Sequence, residues 1–376
     1  MNSMLLLPTL LLATAPSAPG PAAPPVSSNT YNYYVATSGS DANPGTLKQP
    51  FQTIMRASKV ALPGTTIHVL PGVYAGGFKT MMSGTEAQRI SYVSTLKWGA
   101  RLIPPVSSDT KAGWDNRGDY VDIVGFDIDG SVSRNGAKWT HGIYNGGSHA
   151  SISGNRVHHI AYDAPCDGAG GAGIGVDSYY HGIQSAVVGN TVHDIGPPNC
   201  RFVHGIYIST SGSAINNVVH NIGGAAIQLW HDAHHVVISN NTVAASMTGI
   251  VVGGGDFYHT RGPNDFTSVQ NNIVFDNKYG ISEQGETGPN NIYRNNLVFQ
   301  SSSADWQLRN GLTHSGTVAQ APAFVRYLRR GGSDFRLRGN SPAIGKGTDE
   351  RAPAVDTMGK TRLRSNGIDI GAYQFN

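Results

Sequence analysis

Asn155-Arg-Val-His-His-Ile160, Asn190-Thr-Val-His-Asp-Ile195 and Asn217-Val-Val-His-Asn-Ile222 are three versions of one short phrase, and abbreviated versions follow as Asn241-Thr-Val, Asn272-Ile-Val and Asn296-Leu-Val. Successive asparagines lie 24 to 35 residues apart. A period in this range marks a stacked array in which each unit buries its apolar face against its neighbours. The units are rich in Gly, Asn, Val and Ile and poor in helix formers, so each is predicted to be a coil of short strands rather than a pair of helices.

A second phrase runs in the same register: Gly142-Ile-Tyr-Asn, Gly173-Ile-Gly-Val, Gly205-Ile-Tyr-Ile, Ala226-Ile-Gln-Leu, Gly249-Ile-Val-Val and Gly280-Ile-Ser-Glu. Each coil therefore carries at least two strands separated by tight turns. Strand alternation puts Ile143, Ile174, Ile206, Ile227, Ile250 and Ile281 in one inward stack. It makes Tyr144, Gly175, Tyr207, Gln228, Val251 and Ser282 an outward column. The repeated Asn is predicted to hydrogen-bond to the Asn of the coils above and below, satisfying amides that a tight turn leaves open.

This is the pattern of an all-β, single-stranded right-handed parallel β-helix, and three stretches resemble that family. Tyr33-Tyr-Val-Ala-Thr-Ser-Gly-Ser-Asp-Ala-Asn-Pro-Gly-Thr46, Pro50-Phe-Gln-Thr-Ile54 and Leu62-Pro-Gly-Thr-Thr-Ile-His-Val-Leu-Pro-Gly-Val-Tyr74 resemble the opening of secreted family 9 polysaccharide lyases and chondroitinase B-like proteins. The middle is similar to generic β-helix repeats. Asp334-Phe-Arg-Leu, Ser341-Pro-Ala-Ile and Asp369-Ile-Gly-Ala-Tyr373 resemble a tail common to many such bacterial proteins. The resemblance is specific for architecture and weak for substrate.

Composition agrees. Of 376 residues only 14% are charged and 48 are Gly, which suits many tight turns around one continuous apolar core. A stacked coil grows lengthwise without a second core, so one domain is expected over 27–376, clearest over 120–300 and irregular over 301–376. A net charge of +3 is too small to argue for nucleic acid. Arg326, Arg329, Arg330, Arg336 and Arg338 are read as a solvated face. Residues 1–26 look like an export signal with the small-x-small site Ala13-Thr-Ala15 and a Pro/Ala linker, although no Lys or Arg precedes the apolar run. The mature chain is expected to be secreted or periplasmic, monomeric and free of membrane spans. Cys166 and Cys200 lie in Gly/Pro-rich insertions at the same turn of neighbouring coils, and in an exported protein they are expected to pair. Phe51, Ile54, Ala57, Val60 and Ala61 fall at helical spacing and predict a short helix capping the open end of the coil.

The chemistry is expected on the outward column. His141-Gly-Ile-Tyr144 and His204-Gly-Ile-Tyr207 place one phrase two coils apart, with Asp177 between them and Trp230-His231-Asp232 one coil later. His and Tyr can exchange protons, aromatic rings bind sugar faces, and Asp can orient them or hold a cation. The candidate catalytic set is His141, Tyr144, Asp177, His204, Tyr207 and His231, whereas His158, His193 and His220 read as a structural stack. The resemblance implies β-elimination on an acidic, uronate-containing polysaccharide, with calcium on Asp163, Asp167 and Asp177. The family's lysine base has no clear counterpart, because Lys138 is the only lysine between Lys111 and Lys278. The base would then be Tyr207 or His204, or else Arg261 and Lys278 would reach in. Two alternatives stay open: a glycoside hydrolase pairing Asp177 with Asp232, and a non-catalytic carbohydrate-binding solenoid.

Overall fold

A computed structural model describes residues 30–108, 110–131, 138–168, 170–362 and 367–375. The expected leader at residues 1–26 lies outside the described residues. Three long parallel sheets run along the molecule: sheet I with 11 strands, and sheets II and III with 9 each. The chain visits them in rotation. In one coil the strand His141–Asn145 belongs to sheet III, Ser151–Ser153 to sheet I and Arg156–His158 to sheet II.

The registers follow the repeats. Ile143, Ile174, Ile206, Ile227, Ile250 and Ile281 pair in succession along sheet III, and all are fully buried. Because each coil leaves its apolar face open until the next one covers it, this continuous stack is part of one core that runs through all three sheets. Trp114, Tyr92, Phe126 and Phe78 fill the early coils with edge-to-face aromatic contacts at ring separations of 4.9 to 5.1 Å.

The turn between sheets I and II carries the asparagine ladder. Asn190 Oδ1 accepts from Asn155 N (2.9 Å) and Asn155 Nδ2 (3.1 Å), and the Asn155 amide also donates to Ile123 O at 2.9 Å. The same set recurs through Asn217, Asn241, Asn272 and Asn296. The residue before each ladder Asn sits in the left-handed region: Gly154, Gly189, Asn216, Asn240, Asn271 and Asn295, with φ between 49° and 64°. Gly and Asn tolerate that conformation best, which explains the Gly-Asn and Asn-Asn pairs in the repeats.

Among the described residues the one helix, α1 (Ile54–Val60), caps the N-terminal end of the coil. Thr53 is its N-cap, accepting from Arg56 N at 3.0 Å, while the Asp41 carboxylate accepts from Thr53 N and Oγ1. The helix buries Ile54 and Ala57 on the first strands of sheets I and III. It thereby covers the edge that an open solenoid would expose. At the other end, the antiparallel pair Phe324–Arg326 and Asp334–Leu337 lies against the outside of sheet II, where Phe324, Phe335 and Leu337 pack with Phe275, Ala244 and Leu297. The expected arginine face is solvent-exposed, with Arg336 paired to Asp334.

Candidate functional site

The outward column of sheet III forms in register: Tyr144, Gly175, Tyr207, Gln228, Val251 and Ser282 are successive partners. The expectation that all of it faces solvent is corrected. Gln228, Val251 and Ser282 are 8%, 2% and 2% exposed. Insertions before and after the strands of sheet III rise as walls, so the column is the floor of a cleft.

Two adjoining hollows make up this cleft. The first, about 590 Å³, includes His141, His204, Tyr207, His231, Trp230 and Arg201 in its lining. The second, about 630 Å³, shares Arg201, Gln228, Trp230 and Gln284 with it and continues to Gln307. Seven strands separate His141 from Gln307 inclusively, so at a strand spacing of about 4.8 Å the trough is about 29 Å long.

One wall is held by a disulfide between Cys166 and Cys200, whose Cα atoms are 5.2 Å apart. The bond fixes Gly168, Gly170, Arg201 and Phe202 beside the floor. The opposite wall rises from Trp230–Asp232 and the loop 255–263. Here Asp232, 3% exposed, accepts from the N–H groups of Tyr258, His259 and Thr260 at 3.0 to 3.1 Å and from Thr260 Oγ1 at 2.8 Å. These donors hold its carboxyl below the usual range although burial opposes them. Asp232 is therefore a loop anchor, which removes the pairing of Asp177 with Asp232 across a sugar bond.

The six sequence candidates fall into two groups. Tyr144, Asp177 and His231 are committed to protein partners. The Tyr144 hydroxyl donates to Asp177 Oδ2 at 2.7 Å, and Ser209 Oγ donates to Asp177 Oδ1 at 2.8 Å. Burial and the Asp177 charge push the Tyr144 phenol pKa up. Asp256 O lies 2.8 Å from His231 Nδ1, and because a carbonyl only accepts, Nδ1 carries the proton. His231 Nε2 then accepts from the Tyr258 hydroxyl at 2.9 Å.

His141, His204 and Tyr207 are freer. Burial lowers the His204 pKa to about 3, and the His141 charge adds to the effect. Burial lowers His141 to about 4 against the opposing charges of Asp177 and Asp115. Both imidazoles are neutral at pH 7. The His204 and Tyr207 rings stack at 5.1 Å with 14° between planes. Burial, Asp177, Tyr258 and Asp256 all raise the Tyr207 pKa, so its phenol stays protonated. The Nδ1 of His204 is buried without a hydrogen-bond partner.

The structure adds residues the sequence did not single out. Arg201 brings a cation to the disulfide wall, and Asp256 brings a carboxylate opposite. Arg117 stacks over Tyr144 and Tyr180 at 4.7 and 3.5 Å. Tyr179, Tyr180 and Tyr258 are exposed, and the Tyr179 ring meets those of Tyr180 and Tyr258 at 5.0 and 5.5 Å. These come from insertions between repeats, where no periodicity signals a shared surface.

The expected calcium ligands do not converge. Asp163 pairs with Lys138 at 2.6 Å, Asp177 is taken up by Tyr144 and Ser209, and among the described residues the one trio of converging His, Cys, Asp or Glu side chains is Asp129, His158 and His159. The three aspartates do not fit a calcium cage, and no step is assigned to that ion. Arg261 and Lys278 are exposed and line neither hollow. The His158, His193 and His220 stack forms as expected on sheet II, with ring separations of 5.0 and 5.1 Å.

With this geometry in place, comparison with known proteins fixes the architecture. The family described as a right handed beta helix region matches residues 113–243. The chain is a right-handed parallel β-helix. A protein family of unknown function (DUF1565) matches residues 37–80 of the solenoid's first coils. The uncharacterized protein YwoF of Bacillus subtilis (strain 168) is 39% identical over 59 residues, a segment spanning 16% of this chain and 13% of that relative. Among solved structures the β-helix resembles pectate lyase Pel9A, with TM-score 0.60 and 17% identity over 93% of this chain and 98% of that one. It also resembles a rhamnogalacturonan lyase, with TM-score 0.57 and 16% identity over 82% of this chain and 97% of that one. At such identities the likeness concerns the fold. Among the described residues of the β-helix, no helix is long and apolar enough to cross a membrane.

Proposed function

We propose that this β-helix is an exported carbohydrate-active enzyme that binds an acidic polysaccharide along the sheet III trough and cleaves it by β-elimination. The observation that carries the reading is the pair His204 and Tyr207. A neutral imidazole and a protonated phenol stack side by side on the cleft floor, with the Arg201 guanidinium lining the same hollow. The trough's length, its aromatic wall and its resemblance to two polysaccharide lyases support a chain of sugars as ligand. The disulfide supports an oxidising compartment.

In this mechanism Arg201 neutralises the uronate carboxylate, which acidifies the C5 proton. His204 takes that proton, and the C5–H electrons form the C4–C5 double bond. The C4–O bond then breaks, and its oxygen takes the Tyr207 proton. A free-enzyme pKa of about 3 makes His204 a weak base. The negative charge that develops at C5 as the proton leaves raises it, because a nearby negative charge favours the imidazolium. Asp177 holds Tyr144, and the linkage of Asp256, His231 and Tyr258 holds the opposite wall.

The test is incubation with a panel of uronate polymers, following ultraviolet absorbance of the unsaturated product together with reducing ends. Elimination yields both signals. Reducing ends alone would favour a hydrolase on the same fold. Neither signal would leave a binding solenoid. Tyr207→Phe and His204→Ala are each expected to lower turnover by a factor of about 100 to 10,000 with little change in melting temperature.

A further inference from the structure

On sheet II, away from the trough, three potential ligand atoms face one another. We infer that Asp129, His158 and His159 form a site for a divalent transition-metal ion of the zinc type, which ties two adjacent coils together. One ligand atom from each side chain lies within 4.8 Å of the other two. Two imidazole nitrogens and one carboxylate oxygen are a donor set that zinc accepts, leaving a further position for solvent.

The backbone explains how consecutive residues bring their side chains together. In a strand, neighbours point to opposite faces. His158 ends the strand Arg156–His158, and His159 then takes the left-handed conformation at φ 56°. That turn swings the His159 ring back, so that the Nδ1 atoms of the two residues lie 2.7 Å apart. The same turn one coil later pairs His193 Nδ1 with Asp194 Oδ2 at 2.7 Å. There a carboxylate accepts from the imidazole and the arrangement is complete. At His158 and His159 the pair is imidazole to imidazole, so the His159 Nδ1–H donates to His158 Nδ1, and a metal ion would take the place of that one shared proton. The third donor comes from the preceding coil, where Asp129 is the register partner of His158.

The surroundings set the protonation a metal requires. His158 Nε2 lies 3.1 Å from Asp127 Oδ1. A carboxylate only accepts, so Nε2 carries the proton and Nδ1 presents its lone pair to the cluster. A carboxylate behind a ligating imidazole is the usual outer shell of a zinc site. Asp129 Oδ2 is engaged by Arg101, and Oδ1 accepts from Ser131 N at 2.8 Å. Oδ1 keeps a second lone pair and lies 3.5 Å from His158 Nδ1, too far for a good hydrogen bond and suited to an ion between them. Asp127 and Asp129 face Arg101 and Arg156, and the Asp194 carboxylate acts electrostatically on His159, so three carboxylates stand against two guanidinium groups and the local balance favours a cation.

The experiment titrates zinc chloride into untagged, chelator-treated full-length protein by calorimetry and repeats the melt with and without zinc. One ion per chain and a higher melting temperature are expected, and cobalt(II) in its place should show ligand-field absorption from nitrogen coordination. His159→Ala and Asp129→Asn should each weaken affinity by more than about tenfold, since even outer-shell losses reach that size. His181→Ala, at the exposed His181 and His259 pair, should leave it unchanged. His159 sits at a turn outside the core, so its variant keeps the test open if Asp129→Asn fails to fold. Absence of stoichiometric binding, or equal affinity in wild type and His159→Ala, would overturn the proposal and leave the trio a hydrogen-bonded turn.

Discussion

The Tyr144 hydroxyl donates to Asp177 at 2.7 Å from one coil to the next, whereas the Tyr207 hydroxyl, two coils along in the same column, makes no hydrogen bond among the described residues. The phrase His-Gly-Ile-Tyr is identical at both places. What separates them is the neighbour. Asp177 follows the strand between them and turns toward Tyr144, held by Ser209. One tyrosine is thereby a fixed part of the floor and the other is available for proton transfer.

The ladder should be indispensable to folding. Asn217 Oδ1 accepts from Asn190 N and Nδ2, while Asn217 Nδ2 donates to Val187 O and Asn241 Oδ1. In Asn217→Ala these buried groups lose their partner, and each unsatisfied group costs about 1–3 kcal/mol. A urea melt should show a loss of at least about 3 kcal/mol; a loss under about 1 kcal/mol would show the ladder to be incidental.

Acid should destabilise the fold well before the carboxylates titrate. His141, His204 and His220 have native pKa values lowered to about 4, 3 and 4, chiefly by burial, from an ordinary value of 6.5. Between these values the unfolded chain binds more protons than the native one, so stability rises with pH. Their contribution is complete above pH 6.5 and is lost as pH falls toward 4 and 3. Asp127, lowered to about 2, adds a second loss below its ordinary 3.8. Melting temperature should decline steadily from pH 7 to pH 4, and His220→Gln should flatten part of that decline.

Breaking the disulfide should weaken both fold and wall. The bridge closes a separation of 34 residues, for which chain entropy gives about 3–4 kcal/mol. The Cys166→Ser, Cys200→Ser double variant should melt lower and bind sugar polymers less well, since Arg201 and Phe202 hang on that bridge. An unchanged melt with full binding would assign the wall's order to its backbone contacts.

The anchor at Asp232 should control the opposite wall locally. Losing the acceptor for four donor groups in Asp232→Ala should favour loop opening by more than the 1.4 kcal/mol that makes a tenfold change. Limited proteolysis within 255–263 should then speed by more than about tenfold. Equal cleavage rates in variant and wild type would remove the anchor role.

Repetition made the architecture legible in the sequence. Period, Asn ladder, Ile stack, His stack, capping helix and cysteine pair could all be read because a stacked coil converts sequence register directly into spatial neighbourhood. Ile143 and Ile174 are 31 positions apart and adjacent in space for no reason beyond the repeat. The same rule aligned His141 with His204 and Tyr144 with Tyr207. Only the tertiary structure decided which of these residues is free. The insertions that carry Arg201, Asp256 and Tyr258 have no period, so nothing in their order shows that they meet over sheet III. Likewise Asp232 was legible as an outward carboxylate, yet the loop that folds back onto it brings four donors to its Oδ1. Proton-transfer capacity depends on burial and on partners from distant coils, and both exist only once the solenoid is wound and its walls are in place.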